Sequence, residues 1–181
     1  MAEKITHIYE SVQDNAKEHF ALYGHIALAN VYDHHAGLEA ARSAVSTRLH
    51  HNNRLSGQTG DVRYMPGQSA NPLSRVIDAA IQNVELLDEP AVSLTGNAIR
   101  AQVIDHSPGA VGGWHEDLGI IVTTLSGRSW LEIQGQDDNP DAAYELVPGR
   151  IVVMNPLRRL RHRGVAGSDT SRTGLAIERK R

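Results

Sequence analysis

Apolar positions change their period near the middle of this chain, and the change separates two kinds of structure. From about Glu3 to Phe20, the residues Ile5, Ile8, Val12, Ala16 and Phe20 recur at helical spacing, which predicts a first helix ended by Gly24. His25 to Val31 reads as a short strand. A second helix is expected from Asp33 to Leu49, with Leu38, Ala41, Val45 and Leu49 on one side and Asp33 as its N-cap. His50 to Ala70 is rich in Asn, Gly, Ser and Gln and holds Pro66-Gly67, so it reads as a loop with one short strand around Val62-Arg63-Tyr64. Asn71-Pro72 opens a third helix running through Leu87, with Val76, Ile77, Ala80, Ile81 and Val84 buried. Glu89-Pro90 closes it.

Beyond that point strand-like runs alternate with turn signals. The runs are Ala98–Ile104, Gly119–Leu125, Ser129–Gln134, Ala143–Val147, Arg150–Asn155, Arg163–Ala166 and Thr173–Glu178. Short strands at such close spacing predict a sandwich or barrel. Helices first and strands later predict an α+β, mainly β, arrangement rather than a doubly wound sheet. With no repeat, linker or low-complexity tract, the 181 residues read as one domain.

Composition narrows the function. The absence of cysteine excludes disulfides, thiolate metal sites and cysteine nucleophiles, and it suits a reducing cytosol, so a cytoplasmic location is expected. No apolar run approaches a membrane span, and the N-terminus lacks a signal layout. A net charge of −3 argues against nonspecific nucleic-acid binding as the main activity, and the short chain without an added recognition domain leans toward a small-molecule substrate. The run Arg158-Arg159-Leu160-Arg161-His162-Arg163 reads as a solvated face or as a rim that would gather an anionic substrate.

The candidate chemistry sits in Trp114-His115-Glu116-Asp117, with His162 and Arg172 downstream. On a strand His115 and Asp117 share one face, and His162 would join them from another strand. Two imidazoles and one carboxylate form the facial ligand set of non-haem Fe(II), which leaves coordination positions open for a co-substrate and O2. Arg172 offers a planar guanidinium for a dicarboxylate, with Thr173 or Ser171 adding a hydroxyl. If the runs at Arg163 and Thr173 were neighbouring antiparallel strands, His162 and Arg172 would lie close together. Arg100 and Gln102 share a face on the strand entering the site. An inward Arg100 would need an anionic partner: a carboxylate co-substrate, the substrate or a structural carboxylate. Asn97 and Asn155 are weaker candidates. Ten histidines make chance motifs common, and the adjacent pairs His34-His35 and His50-His51 point apart. Trp114 is expected to pack rather than to bind.

The tract from Ile99 onward resembles the Fe(II)/2-oxoglutarate-dependent dioxygenases, in particular their prolyl-hydroxylase-like branch. The resemblance rests on Val103-Ile104-Asp105-His106-Ser107-Pro108-Gly109, Trp114-His115-Glu116-Asp117, Pro148-Gly149-Arg150-Ile151-Val152-Val153-Met154, His162-Arg163-Gly164-Val165 and Arg172. It implies a double-stranded β-helix (jelly-roll) core over about 91–181, buttressed by helices over about 1–90. It also implies Fe(II) held by His115, Asp117 and His162, with 2-oxoglutarate anchored by Arg172. The expected reaction is hydroxylation, or another C–H oxidation, using O2 and releasing succinate and CO2. Two positions depart from the family pattern. His106 stands where a Tyr is common, and would assume that co-substrate contact or none. Gly174 stands where Ser or Thr is common. Two other readings fit the same residues: a cupin-type metalloenzyme that does not use 2-oxoglutarate, and a non-catalytic jelly-roll binding protein.

Overall fold

Asn71 starts the third helix where its sequence says it should. Its side-chain oxygen accepts from the backbone N–H of Leu73 at 2.9 Å and of Ser74 at 3.2 Å, and Pro72 occupies the first turn. This helix, α3 (Pro72–Glu85), buries Leu73, Val76, Ile77, Ala80, Ile81 and Val84. The computed structural model describes residues 4–47, 52–54, 57–62, 64, 66–67, 70–116, 118–135 and 141–180. Helix α2 (His34–Thr47) follows Asp33, whose carboxylate accepts from the Ala36 N–H at 2.7 Å.

Helix α1 (Asp14–Tyr23) is shorter than the apolar spacing predicts. It ends at Gly24, whose φ of 76° is the left-handed conformation of a helix terminator. The residues before it include a two-residue strand β1 (Ile8–Tyr9), parallel to β2 (His25–Leu28). Ile5 and Ile8 pack into one core and Val12 into another. Their helical spacing therefore arises from extended chain feeding two cores. A hairpin of β3 (Asn52–Arg54) and β4 (Gly57–Val62) replaces much of the expected loop. Arg63, in the strand expected there, lies outside the described residues.

The second half supplies β5 (Ile99–His106), β6 (Gly119–Ser126), β7 (Ser129–Ile133), β8 (Ala142–Leu146), β9 (Ile151–Met154), β10 (His162–Ala166) and β11 (Arg172–Arg179). The larger sheet runs β1-β2-β9-β6-β11-β5-β4-β3 and the smaller β10-β7-β8. Residues 111–115 border β10 through bridges Val111–Val165 and His115–His162. Two facing antiparallel sheets whose strands alternate between them in sequence make a double-stranded β-helix. Strands β1 to β4 extend the larger sheet on both sides, so the first half of the chain does more than buttress it.

Each strand of the larger sheet points alternate residues to opposite faces. On one face Ile26, Ile121, Ile151, Val153, Leu175, Ile177, Ala101 and Val103 meet the helices in a continuous core. The other face looks across to the smaller sheet. There Ala27, Val152 and Met154 pack with Leu131, Ile133, Tyr144 and Leu146. This second core holds one side of the barrel shut.

Candidate metal centre

His115 and His162 are brought together by a two-way backbone bridge. The His115 N–H donates to the His162 carbonyl at 3.0 Å, and the His162 N–H donates back at 2.9 Å. A pair bonded this way sets both side chains on the same side, and the ring centroids lie 4.5 Å apart, tilted by 57°. The bridge is isolated, so His115 sits on a strand-like edge rather than in a full strand.

Both rings are held in the same tautomer. Nδ1 of His115 lies 2.8 Å from the Gly113 carbonyl, and Nδ1 of His162 lies 3.0 Å from the Leu160 carbonyl. A carbonyl only accepts, so each Nδ1 carries the proton and the neutral ring keeps its lone pair on Nε2. Fixing one nitrogen through a backbone oxygen is how proteins orient imidazoles for a metal. His162 is buried and lines a water-sized cavity of about 10 Å³ with Gly119, Met154, Asn155 and Leu160. Asp117, the expected carboxylate, lies outside the described residues.

Arg172 approaches by a route the sequence does not suggest. Strands β10 and β11 are not neighbours: β11 lies between β5 and β6 in the larger sheet, while β10 pairs with β7 in the smaller. The two strands meet face to face across the barrel. The Arg172 side chain runs along β11 over Gly174, where a Cβ would lie 3.9 Å from its Cζ. It ends against Gly164 of β10, where a Cβ would lie only 2.6 Å from Nη2. Gly164 is two residues from His162 on the same face of β10, about 7 Å along the strand. The guanidinium therefore lies one inward-facing step behind the histidine pair.

This guanidinium is buried, with 6% of the residue exposed, and burial pushes its pKa down to about 10. Its Nε meets no hydrogen-bond partner, and among the described residues no carboxylate pairs with it. His106 is its cross-strand partner in register and is equally buried. Burial and the neighbouring Arg172 charge push the His106 pKa down to about 4, so the ring is neutral near pH 7. Its Nδ1 also lacks a partner. An unmet buried polar group costs about 1–3 kcal/mol, and more when charged. Two side by side, one of them cationic, fit a cradle for an anion.

The other expected contacts lie elsewhere. Thr173 takes the opposite face of β11 from Arg172, by strand alternation. Arg100 and Gln102 do face the barrel, but further toward its open end. Arg100 donates to Asp61 and to Glu178, each at 3.0 Å, and Gln102 donates to Asp61 at 2.9 Å. Their partners are thus structural carboxylates, the last of the alternatives open for an inward Arg100. Asn97 bonds the carbonyls of Ser93 and Thr95, whereas Asn155, which caps a short 3-10 turn at Leu157, does line the His162 cavity. Trp114 stacks on Arg163, whose guanidinium lies 4.7 Å from the ring centroid and also pairs with Glu132. Within the basic run, Arg158 donates to the Ala21 carbonyl and Arg161 to Gln134. Gly164 stands in the sequence only as part of the stretch that carries the resemblance; its lack of a side chain makes room for Arg172. Its place two residues past His162 was the available signal.

No protein-family model matches the sequence, and no curated protein matches it either. Solved structures do match the fold. An oxidoreductase of the 2OG-Fe(II) oxygenase family from Burkholderia pseudomallei superposes with a TM-score of 0.68 at 14% identity, over 99% of this chain and 96% of that one. A prolyl-4-hydroxylase from Pseudomonas putida superposes with a TM-score of 0.63 at 18% identity, over 92% and 98% of the two chains. The expected double-stranded β-helix is therefore the fold of this chain.

Proposed function

We propose that this protein is an Fe(II)- and 2-oxoglutarate-dependent oxygenase that hydroxylates, or otherwise oxidises at a C–H bond, a small-molecule substrate. One observation carries the reading: a buried, unpaired guanidinium lies one strand step behind two imidazoles whose Nδ1 protons are both locked onto backbone carbonyls. The fold it shares with the two oxygenase structures agrees with this.

In this reading His115 and His162 present Nε2 to the metal, and Asp117 completes the set from two residues past His115. When bound, Fe(II) supplies the activation of O2 that couples loss of CO2 from 2-oxoglutarate to substrate oxidation, leaving succinate. Arg172 holds the far carboxylate of the co-substrate. The contact satisfies a buried charge that otherwise stands alone, which favours a dianion over a neutral 2-oxo acid. His106, neutral at working pH, offers its Nδ1–H to the same carboxylate in place of the hydroxyl other oxygenases use. Met154 and Leu160 line the small cavity beside His162.

Anaerobic addition of Fe(II) and 2-oxoglutarate should produce the weak visible charge-transfer band of a 2-oxo acid chelate. Arg172→Ala should weaken it through 2-oxoglutarate affinity. A cupin-type enzyme that does not use 2-oxoglutarate would bind metal without the band and keep its activity in that variant. A non-catalytic binding protein would release no succinate with any substrate and would tolerate Asp117→Ala.

A further inference from the structure

The chain before α1 straps the two sheets together. Ile5 bridges to β8 of the smaller sheet: its N–H donates to the Asp141 carbonyl at 2.8 Å, and its carbonyl accepts from the Ala143 N–H at 2.9 Å. Further on, Ile8 and Tyr9 pair with β2 of the larger sheet, and the Tyr9 carbonyl accepts from the Ala29 N–H at 2.8 Å. Ile5, Ile8 and Tyr9 are only half-buried. The strap is thus held by few bonds and little apolar area, the kind of segment that opens before the cores do. While closed, it covers the outer edges of β2 and β8.

Against the strap lies a cluster of rings outside the metal centre. His7 and Tyr9 come from the strap, His19 and Tyr23 from α1, His25 from β2 and Tyr144 from β8. Ring centroids are 4.3 Å apart for His7 and Tyr9, 5.5 Å for Tyr9 and His19, 4.7 Å for His19 and Tyr23, and 6.1 Å for His19 and His25. Nε2 of His19 is buried and meets no partner among the described residues. A protonated imidazole donates from both nitrogens, so a proton on His19 leaves a charged N–H there without an acceptor. The groups facing this ring are His7 and Tyr9 from the strap, Tyr23 from its own helix and His25 from β2, and none is a carboxylate. The helix positions three and four away, Asn15, Ala16, Leu22 and Tyr23, carry no acid either. Arg158 adds a cation against the end of α1, where its guanidinium donates to the Ala21 carbonyl at 2.8 Å. We propose that the strap is a proton-sensitive latch: protonation of His19 against Tyr9 releases residues 5–9 and bares the edges of β2 and β8. Burial, then His7, push the His19 pKa below the ordinary 6.5, and burial, then His19, push His25 down beside it. Lifting the strap removes His7 and Tyr9 and lets water reach Nε2, so the open state takes the proton more readily than the closed one. The closed strap is therefore most stable above pH 6.5 and loses stability as pH falls below it.

The test is amide hydrogen exchange of the full chain, read residue by residue by NMR at about pH 7 and about pH 5 and corrected for intrinsic rates. The amides of Ile5, Ala29 and Ala143 report the strap, because each of their bonds breaks when it lifts. The amides of Ile77 and Ile81, buried in α3, report opening of the whole fold. Strap amides should be less protected than those of α3, and their protection should fall about tenfold between the two pH values, the scale of one linked proton. His19→Gln should keep the strap protected at the higher pH and remove the fall, while an acid loss in α3 that comes from other histidines persists. If that variant does not fold, the wild-type profile decides alone. Strap protection equal to that of α3 at both pH values, strap protection indifferent to pH, or a fall that survives in folded His19→Gln would overturn the proposal.

Discussion

The two sides of the barrel interior are built from the same strands on opposite plans. Between β2, β9, β7 and β8 the facing residues are large and apolar, and Ile133, Tyr144, Leu146 and Val152 are each 1% exposed or less. Between β11 and β10 they are Gly174, Ala176 and Gly164, with His162, His106 and Arg172 in the space those small residues leave. The packed side keeps the sheets at a fixed separation. The other side uses that separation to hold Arg172 and His106, whose Nε and Nδ1 meet no partner among the described residues. Stability and chemistry are thus assigned to different halves of one interior, and variants should separate them.

The largest separation is expected from His162→Ala. The Fe(II)/2-oxoglutarate band and succinate release should fall below detection, while thermal melting of the metal-free protein stays near wild type. Ile133→Ala on the packed side should do the reverse, costing about 2–5 kcal/mol in denaturant unfolding. Any loss of 2-oxoglutarate affinity in that variant should track the unfolded fraction. Arg172→Lys keeps the charge but gives up the bidentate fork, and should weaken 2-oxoglutarate by about 100-fold in a band titration. Gly164→Ala should weaken it by about tenfold, a smaller change because the guanidinium can shift from the new methyl. Equal melting losses in all four variants would break the comparison.

A pH dependence is expected on the packed side. His25 is buried, its Nδ1 lies 2.9 Å from the Tyr144 hydroxyl, and burial with nearby His19 pushes its pKa from 6.5 down to about 4. The folded state therefore binds the proton less tightly than the unfolded chain does. The stability this contributes is complete above pH 6.5 and is lost as pH falls toward 4. Melting temperature should decline over that window, and His25→Gln should make the decline shallower, much of the remainder coming from His106, whose pKa is pushed as low.

Much of this was legible in the sequence, for identifiable reasons. The strands of the second half and helix α3 follow from alternation, turn residues and the Asn71-Pro72 start, each a local signal. His115, His162 and Arg172 were legible by residue type and order. The route joining them was not. Adjacency in sequence suggested a hairpin of β10 and β11, whereas the contact crosses between sheets and depends on Gly164, a residue whose contribution is empty volume. Arg100 was placed with Gln102 on one face of its strand, but its carboxylates come from β4 and β11, which only the sheet register brings alongside. Ile5 and Ile8 misled because a helical interval also suits an extended chain that serves two cores.

The place of β11 in the larger sheet has a consequence for synthesis. It follows the other described strands in sequence, yet among the described residues β5, β4 and β3 join the β6 half of that sheet only through it. Until residues 172–179 leave the ribosome, the nascent chain holds two sheet fragments with bare edges and no seam between them. Such a chain should fold late and depend on holding chaperones while it waits. Translation stalled before Arg172 should leave it protease-sensitive throughout, and emergence of β11 should protect both halves at once.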